Sequence, residues 1–277
     1  MIRIENLCCG YGGTDVLHGV SANMGPGEMV GILGPNGSGK TTLLLALAGV
    51  LPIRDGQVRI QGEDVKGIPP KAVAWRMASV PQKAETTFPL QCFSVVLMGR
   101  YPYLSFFGGY TQSDREIAGA AMRRTGVYAL AERPLDAVSG GEFQRVLMAR
   151  AFAQETDILL LDEPAASLDP AGVVRVFDLL KDRNKEGALV LCAVHDLNLA
   201  AVYCDRLIFL KNGRVVEDGP TEEVFNARNL SQIYDTDIRV SRHPLSCAPQ
   251  AHFVPRHCAS LPSDASGDSG RGDTRSG

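Results

Sequence analysis

The chain has 277 residues, of which 21% are charged, and carries a formal net charge of -3. That balance leaves no basic footprint for tight, non-specific nucleic-acid binding. Seven cysteines without a CxxC pair argue against a disulfide framework or paired-thiol metal site, and no apolar run approaches the ~20 residues of a membrane span. Cys192 lies in an apolar run, as do Cys8 and Cys9, and these are read as buried, reduced thiols. No basic segment followed by an apolar one opens the sequence, so no secretion leader is expected and the protein reads as soluble or held at a membrane by a partner.

Residues 2 to 30 carry short apolar stretches broken by Gly10, Gly12, Gly13, Gly25 and Gly27, which predicts β-structure. "MVGIL" (29–33) predicts a strand ending in a glycine-rich loop. "TTLLLALAGV" then predicts a helix that is apolar all round and hence buried. Residues 56 to 80 return to short strands, "QVRI" and "MASV", around a Gly/Pro-rich link. From about Phe93 to Ala153 the pattern is mostly helical, interrupted by "GRYPYLSFFGGY". "DILLLDEP" (157–164) and "ALVLCAVHD" (188–196) are continuous rather than alternating apolar runs, the mark of strands buried on both faces of a parallel sheet. "RLIFLKNGRVVEDG" (206–219) predicts a hairpin turning at Asn212-Gly213. Residues 1–256 are therefore expected to form one domain with a helical subdomain at about 88–155, and 257–277 a disordered tail poor in apolar residues.

"GPNGSGKT" (34–41) satisfies G-x-x-x-x-G-K-[ST] between a predicted strand and a predicted helix. In that context the backbone N–H groups of Gly34, Pro35's successors Asn36, Gly37, Ser38 and Gly39, and the helix start at Lys40, Thr41 and Thr42 cradle phosphates. Lys40 reaches the terminal phosphates and Thr41 ligates Mg²⁺. "ILLLDEP" (158–164) ends a buried strand in two carboxylates at the sheet edge where ligands bind. Asp162 suits a Mg²⁺ shell and Glu163 a general base acting on water. Alone, such a strand end is common and structural; beside a phosphate loop it reads as a site. "AVHD" places His195 at the end of a third strand at the same edge. In "VSGGEFQRV" (138–146), Ser139 and Glu142 form a capping box, so Gly140 and Gly141 fall on the first two helical positions. Their N–H groups lack intrahelical partners and carry no shielding side chains, which makes a second anion site.

Together these stretches resemble the ATP-binding cassette (ABC) ATPases over nearly the whole chain except the tail. "GPNGSGKT" resembles the Walker A loop, "ILLLDEP" the Walker B strand and "VSGGEFQRV" the signature sequence, with Val138 in place of the usual Leu. The resemblance implies an α/β P-loop NTPase core with a mostly parallel sheet, an antiparallel β-subdomain and a helical signature subdomain. It implies ATP and Mg²⁺ as ligands, with Gln82 as the Q-loop glutamine near the metal, "SLD" (167–169) as the D-loop, His195 as the switch histidine and Tyr11 stacking on adenine. It also implies a homodimer in which Ser139, Gly140 and Gly141 of one chain close over the ATP of the other.

"VVLMGRYPYLSFFGGYTQSDREI" (95–117), "YDTDIRVSRHP" (234–244) and "HFVP" (252–255) resemble the ATPase subunits of iron–siderophore, haem and cobalamin importers. Such a subunit sits on the cytoplasmic face of the membrane through permease subunits, and meets the extracytoplasmic binding protein indirectly. Zinc or manganese importers and a cytosolic iron–sulfur scaffold ATPase are the alternatives. A DNA-repair ATPase would need a long coiled coil between the Walker motifs, and none is present. His243, Cys247, His252, His257 and Cys258 match no standard zinc spacing.

Overall fold

A computed structural model describes residues 1–82, 89–105, 108–166 and 168–255. The chain opens with two long antiparallel strands, β1 (Ile2–Tyr11) and β2 (Thr14–Met24), then β3 (Met29–Leu33), which feeds α1 (Lys40–Leu47). Strands β4 (Ile53–Ile60) and β5 (Glu63–Asp64) join the first two in a four-stranded antiparallel sheet of order β2-β1-β4-β5. After α2 (Pro70–Arg76) and β6 (Met77–Val80) come α3 (Cys92–Leu97), α4 (Gln112–Arg124) and α5 (Gly140–Ala153), with a 3-10 turn over Met98–Tyr103. Next are β7 (Ile158–Asp162), α6 (Pro170–Lys185), β8 (Leu189–Ala193), α7 (Leu197–Tyr203) and the hairpin β9 (Arg206–Lys211) and β10 (Arg214–Pro220). Two short helices, α8 (Thr221–Val224) and α9 (Ala227–Tyr234), lead to a final hairpin, β11 (Ile238–Arg242) and β12 (Pro249–Phe253). No helix among the described residues is long and apolar enough to cross a membrane.

The centre is a six-stranded sheet of order β10-β9-β3-β8-β7-β6, parallel from β9 to β6, with β10 antiparallel at one edge. Every residue of β3, β7 and β8 is buried, because both faces are covered. Successive side chains point to opposite faces, and the core divides accordingly. Val30, Ile32, Leu160 and Leu191 pack with Leu43 and Leu47 of α1 and with Ile4 and Val58 of the antiparallel sheet. Met29, Leu161, Val190 and Cys192 pack instead with Val146 of α5 and Phe177 of α6. At roughly 1.5–3 kcal/mol for each fully buried large side chain, these two layers hold the sheet rigid beneath the loops at its edge.

The hairpin turns where expected, with Asn212 and Gly213 at φ 51° and 72°. Three local readings need correcting. The Gly/Pro-rich link before "MASV" contains helix α2, for which Pro70 is a ready-made first residue rather than a breaker. "GRYPY" is not a gap between helices but the 3-10 turn itself. There Gly99 lies so close to α5 that an added Cβ would fall 2.3 Å from the Arg150 carbonyl. Cys8 is only half-buried, its Sγ accepting the Gly19 N–H at 3.2 Å, whereas Cys9 and Cys192 are buried.

Candidate active site

The parallel strands bring four chain segments to one edge. The first is the loop 34–39 between β3 and α1. Gly34 and Gly39 have φ of 145° and 104°, and Cβ atoms there would meet the Leu210 carbonyl at 2.0 Å and Leu17 Cδ2 at 2.5 Å. Only glycine fits either place. Gly39 is the N-cap of α1 and supplies no side-chain cap, so the first N–H groups of the helix are left for another acceptor. Lys40 is buried, with Nζ donating to the carbonyls of Gly34 (2.8 Å) and Pro35 (3.2 Å). Burial holds its pKa below the usual lysine range, opposed by Glu163 and Asp162. Ser38 Oγ is buried without a hydrogen-bond partner among the described residues. Thr42 is buried in α1 while Thr41 faces outward.

The second segment is the end of β7. Asp162 is 8% exposed, and its Oδ1 has no partner among the described residues. Burial pushes its carboxyl above the ordinary range, resisted chiefly by the Thr41 hydroxyl beside it. A dry carboxylate oxygen with an adjacent hydroxyl is the all-oxygen donor set that Mg²⁺ takes, so these residues fit that ion. Glu163 follows in left-handed backbone, φ 50°, with its N–H donating to the Ala193 carbonyl at 3.1 Å.

The third and fourth segments follow β6 and β8, the neighbours of β7. Gln82 Nε2 donates to Glu163 Oε2 at 2.5 Å, and His195 Nε2 contacts Glu163 Oε1. Three residues distant in sequence thus meet at the ends of three adjacent strands, with Glu163 in the middle. The amide nitrogen of Gln82 is engaged with Glu163, which leaves only its carbonyl oxygen for a metal.

The capping box of α5 forms as its sequence implies: Ser139 N and Oγ donate to Glu142 Oε2 at 2.8 and 2.9 Å, and Glu142 N donates back to Ser139 Oγ at 3.3 Å. Gly140 faces open space. Ser139 and Gly141 border a cavity of about 310 Å³ with Arg145, Asp169 and Arg175. That cavity includes no residue of the 34–41 loop, and α5 and α1 pack on opposite faces of the central sheet. Ser139, Gly140 and Gly141 are therefore not part of the Lys40 site within one chain. Tyr11 is exposed at the end of β1, in the sheet whose Leu17 abuts Gly39.

Two further residues carry no motif. Tyr234 of α9 reaches the backbone of Gly34, and burial pushes its hydroxyl up to about 12. Asn198 of α7 pairs with the backbone of Ala251. The C-terminal histidines serve local structure: His243 Nδ1 accepts the N–H groups of Leu245 and Ser246, and His252 contacts Ser241 Oγ. His257, Cys258, the rest of the 257–277 tail and Ser167 of "SLD" lie outside the described residues.

A family model described as "ABC transporter" matches residues 17–166. The hemin import ATP-binding protein HmuV of Streptomyces coelicolor is 42% identical over 233 residues, covering 84% of this chain and 82% of that protein. Other curated relatives are longer, and the chain spans 62 or 63% of their length. Among solved structures, a metal-chelate type ABC transporter in an inward-facing conformation matches with a TM-score of 0.80 at 26% identity, over 92% of this chain and 96% of that one. A dimeric bacterial ABC transporter cassette matches with a TM-score of 0.71 at 28% identity, over 80% of this chain and 99% of the other.

Proposed function

The chain belongs to the ABC transporter family, and we propose that it is the ATP-hydrolysing subunit of an importer for a metal chelate such as an iron–siderophore, haem or cobalamin complex. The observation that carries the reaction is the placement of Glu163 between Gln82 and His195, at the edge that also holds the Lys40 loop. The free N–H groups of the loop and of α1 take the phosphates of ATP, and Lys40 stands ready to exchange carbonyl partners for phosphate oxygens. Mg²⁺, held by Asp162 and Thr41 with the Gln82 carbonyl, would neutralise phosphate charge during displacement. Glu163 orients and deprotonates the attacking water. His195 and Gln82 fix the Glu163 carboxylate in place.

Ser139, Gly140 and Gly141 act on the ATP of a second copy, so that binding closes a homodimer and hydrolysis reopens it. The dimeric relative supports this reading. We assign residues about 88–155 as the helical subdomain and the groove beside it as the seat of a permease segment. That groove, about 760 Å³, is lined by Pro70, Ala74, Tyr101 and Leu104. Phe106, a second aromatic candidate for this contact, lies outside the described residues. The permease would hold the chain at the cytoplasmic face of the membrane, with the binding protein reached only through it.

Glu163→Gln should bind ATP normally and lose turnover by about 10²-fold or more, whereas Lys40→Ala should lose ATP binding. Near-normal hydrolysis by Glu163→Gln would remove the assigned role. The shared site is tested in that Glu163→Gln background with mixed dimers. Lys40→Ala on one chain and Ser139→Arg on the other damage a single shared site and leave the other able to occlude ATP. Both substitutions on one chain damage both shared sites. Occlusion by the second arrangement alone would mean that each chain forms its own site.

A further inference from the structure

His195 lies two residues past the end of β8, and its side chain can only hold Glu163 if its own backbone is held. On the side facing Glu163 the support is poor. A cavity of about 190 Å³ lies between the 163–166 turn, α6 and α7, lined by Pro164, Val173, Phe177, Val194, His195 and Leu199. Packing from that side leaves room for movement. On the N-terminal side the Val194 N–H donates to the Ile32 carbonyl at 3.1 Å; beyond His195 the loop is fixed by α7, which begins two residues on. Asp196 caps it by accepting the N–H groups of Asn198 (2.9 Å) and Leu199 (3.0 Å). The far side of α7 rests on β12, through a two-point clamp. Asn198 Oδ1 accepts the Ala251 N–H at 2.6 Å, and Asn198 Nδ2 donates to the Ala251 carbonyl at 3.2 Å. The amide thus mimics a neighbouring strand and satisfies both backbone groups of Ala251, which pairs with Val240 across the hairpin.

The hairpin is itself tied down. Ser231 of α9 receives the Ile238 N–H at 3.0 Å, and Tyr234 of the same helix reaches Gly34. Hydrogen bonds therefore run from α9 to the hairpin and from the hairpin to Asn198 on α7, the helix that follows His195.

From this arrangement we infer that Asn198 is a positioning residue for His195, and that the β11–β12 hairpin forms the outer jaw setting the Glu163–His195 contact. The inference rests on the ATPase reading of His195. Asn198 touches no reacting atom and acts only through the register of α7. A loss of alignment between His195 and Glu163 lowers the rate of the chemical step and leaves nucleotide affinity alone.

The experiment is a double-mutant cycle in the full-length chain, measuring kcat and KM for Mg-ATP. Asn198→Ala is expected to lower kcat by roughly tenfold with KM within about twofold. In a His195→Ala background it should have no further effect on kcat. Asn198→Asp, which keeps an oxygen to accept the Ala251 N–H and replaces the Nδ2 donor facing the Ala251 carbonyl by a second oxygen, should reproduce the kcat loss; it also serves if Asn198→Ala folds poorly. Full turnover by His195→Ala would overturn the reading of that histidine. Impaired His195→Ala with unimpaired Asn198→Ala would overturn only the clamp. Multiplying losses in the double variant would also overturn it, by assigning Asn198 a merely structural part.

Discussion

Replacing Arg100 with Met is expected to be among the most destabilising single changes on the surface-facing turn of Met98–Tyr103. The Arg100 side chain is 7% exposed. Its Nε donates to Asp114 Oδ1 at 3.1 Å, and its NH1 donates to the Ala153 carbonyl (2.8 Å) and Glu155 Oε2 (2.7 Å). One guanidinium thereby joins the start of α4, the end of α5 and its own turn, with the Tyr103 ring 4.0 Å away. Met preserves the stem and removes the charge. Asp114, with its side chain 11% exposed, then keeps only the Thr111 bonds on its other oxygen. Breaking a buried pair from one side costs about 3–5 kcal/mol. Because Glu155 is 55% exposed and simply returns to water, we expect the low end, about 3 kcal/mol, or a fall in Tm of roughly 6–12 °C.

Denaturant melts and thermal melts of the purified chain measure it. Adding Asp114→Asn should recover part of the loss, as it removes the buried carboxylate charge left without its partner. The carboxyl of Asp114 is held below the ordinary range first by the Thr111 N–H, then by the Thr111 hydroxyl and Arg100. Its folded pKa is thus depressed, so its contribution is complete above the unfolded value near ~3.9 and fades as pH falls through the folded one. The gap between parent and Arg100→Met should narrow in acid. A loss under about 1 kcal/mol at pH 7, the scale of an ordinary surface pair, would refute the reasoning.

Asp162→Asn should melt higher than the parent when nucleotide-free at pH 7. A raised folded pKa means that stability is lost as pH rises from the unfolded value, and that cost is fully present at neutrality. The difference should close below about pH 3.9, and Mg-ATP should no longer stabilise the variant; a lower Tm would contradict this. Gly34→Ala should lose stability and ATP binding together, because both φ and the Leu210 carbonyl exclude a Cβ. Gly140→Ala meets no atom within 4 Å, so it should melt no lower than the parent yet hydrolyse ATP more slowly. Equal stability losses for the two glycines would remove the distinction. Tyr101→Glu, at a residue 70% exposed, should reduce transport while ATPase activity of the isolated chain persists; intact transport would move the permease contact elsewhere.

The strands β3, β7 and β8 were legible in sequence because burial on both faces leaves no polar alternation. The phosphate loop was legible because its glycines answer steric demands that no other residue meets. Glu163, Gln82 and His195 could each be named, but their meeting depends on the order β8-β7-β6, which no local pattern encodes. Arg100 was visible only as part of a family-like stretch; its burial and three partners arise from tertiary packing. Tyr234 was visible only as the first residue of the family-like "YDTDIRVSRHP", and Asn198 had no signal at all, since an asparagine on a short helix is an ordinary residue until another segment arrives. Helix α2 was hidden by Pro70, whose meaning reverses between a helix interior and a first turn.

The placement of α1 and α5 on opposite faces of one sheet has a consequence for kinetics in dilute solution. Under the proposed shared site, hydrolysis would require the loop of one copy and the glycines of another, and a solitary chain would hold ATP but stay idle. Specific activity of the purified protein should then climb with its concentration until pairing saturates, a second-order onset foreign to a self-contained enzyme. Inside a cell, surplus copies not gathered side by side on a permease would leave the ATP pool untouched. On that proposal the sheet, by keeping the two halves of the site apart, would make assembly the switch for consumption.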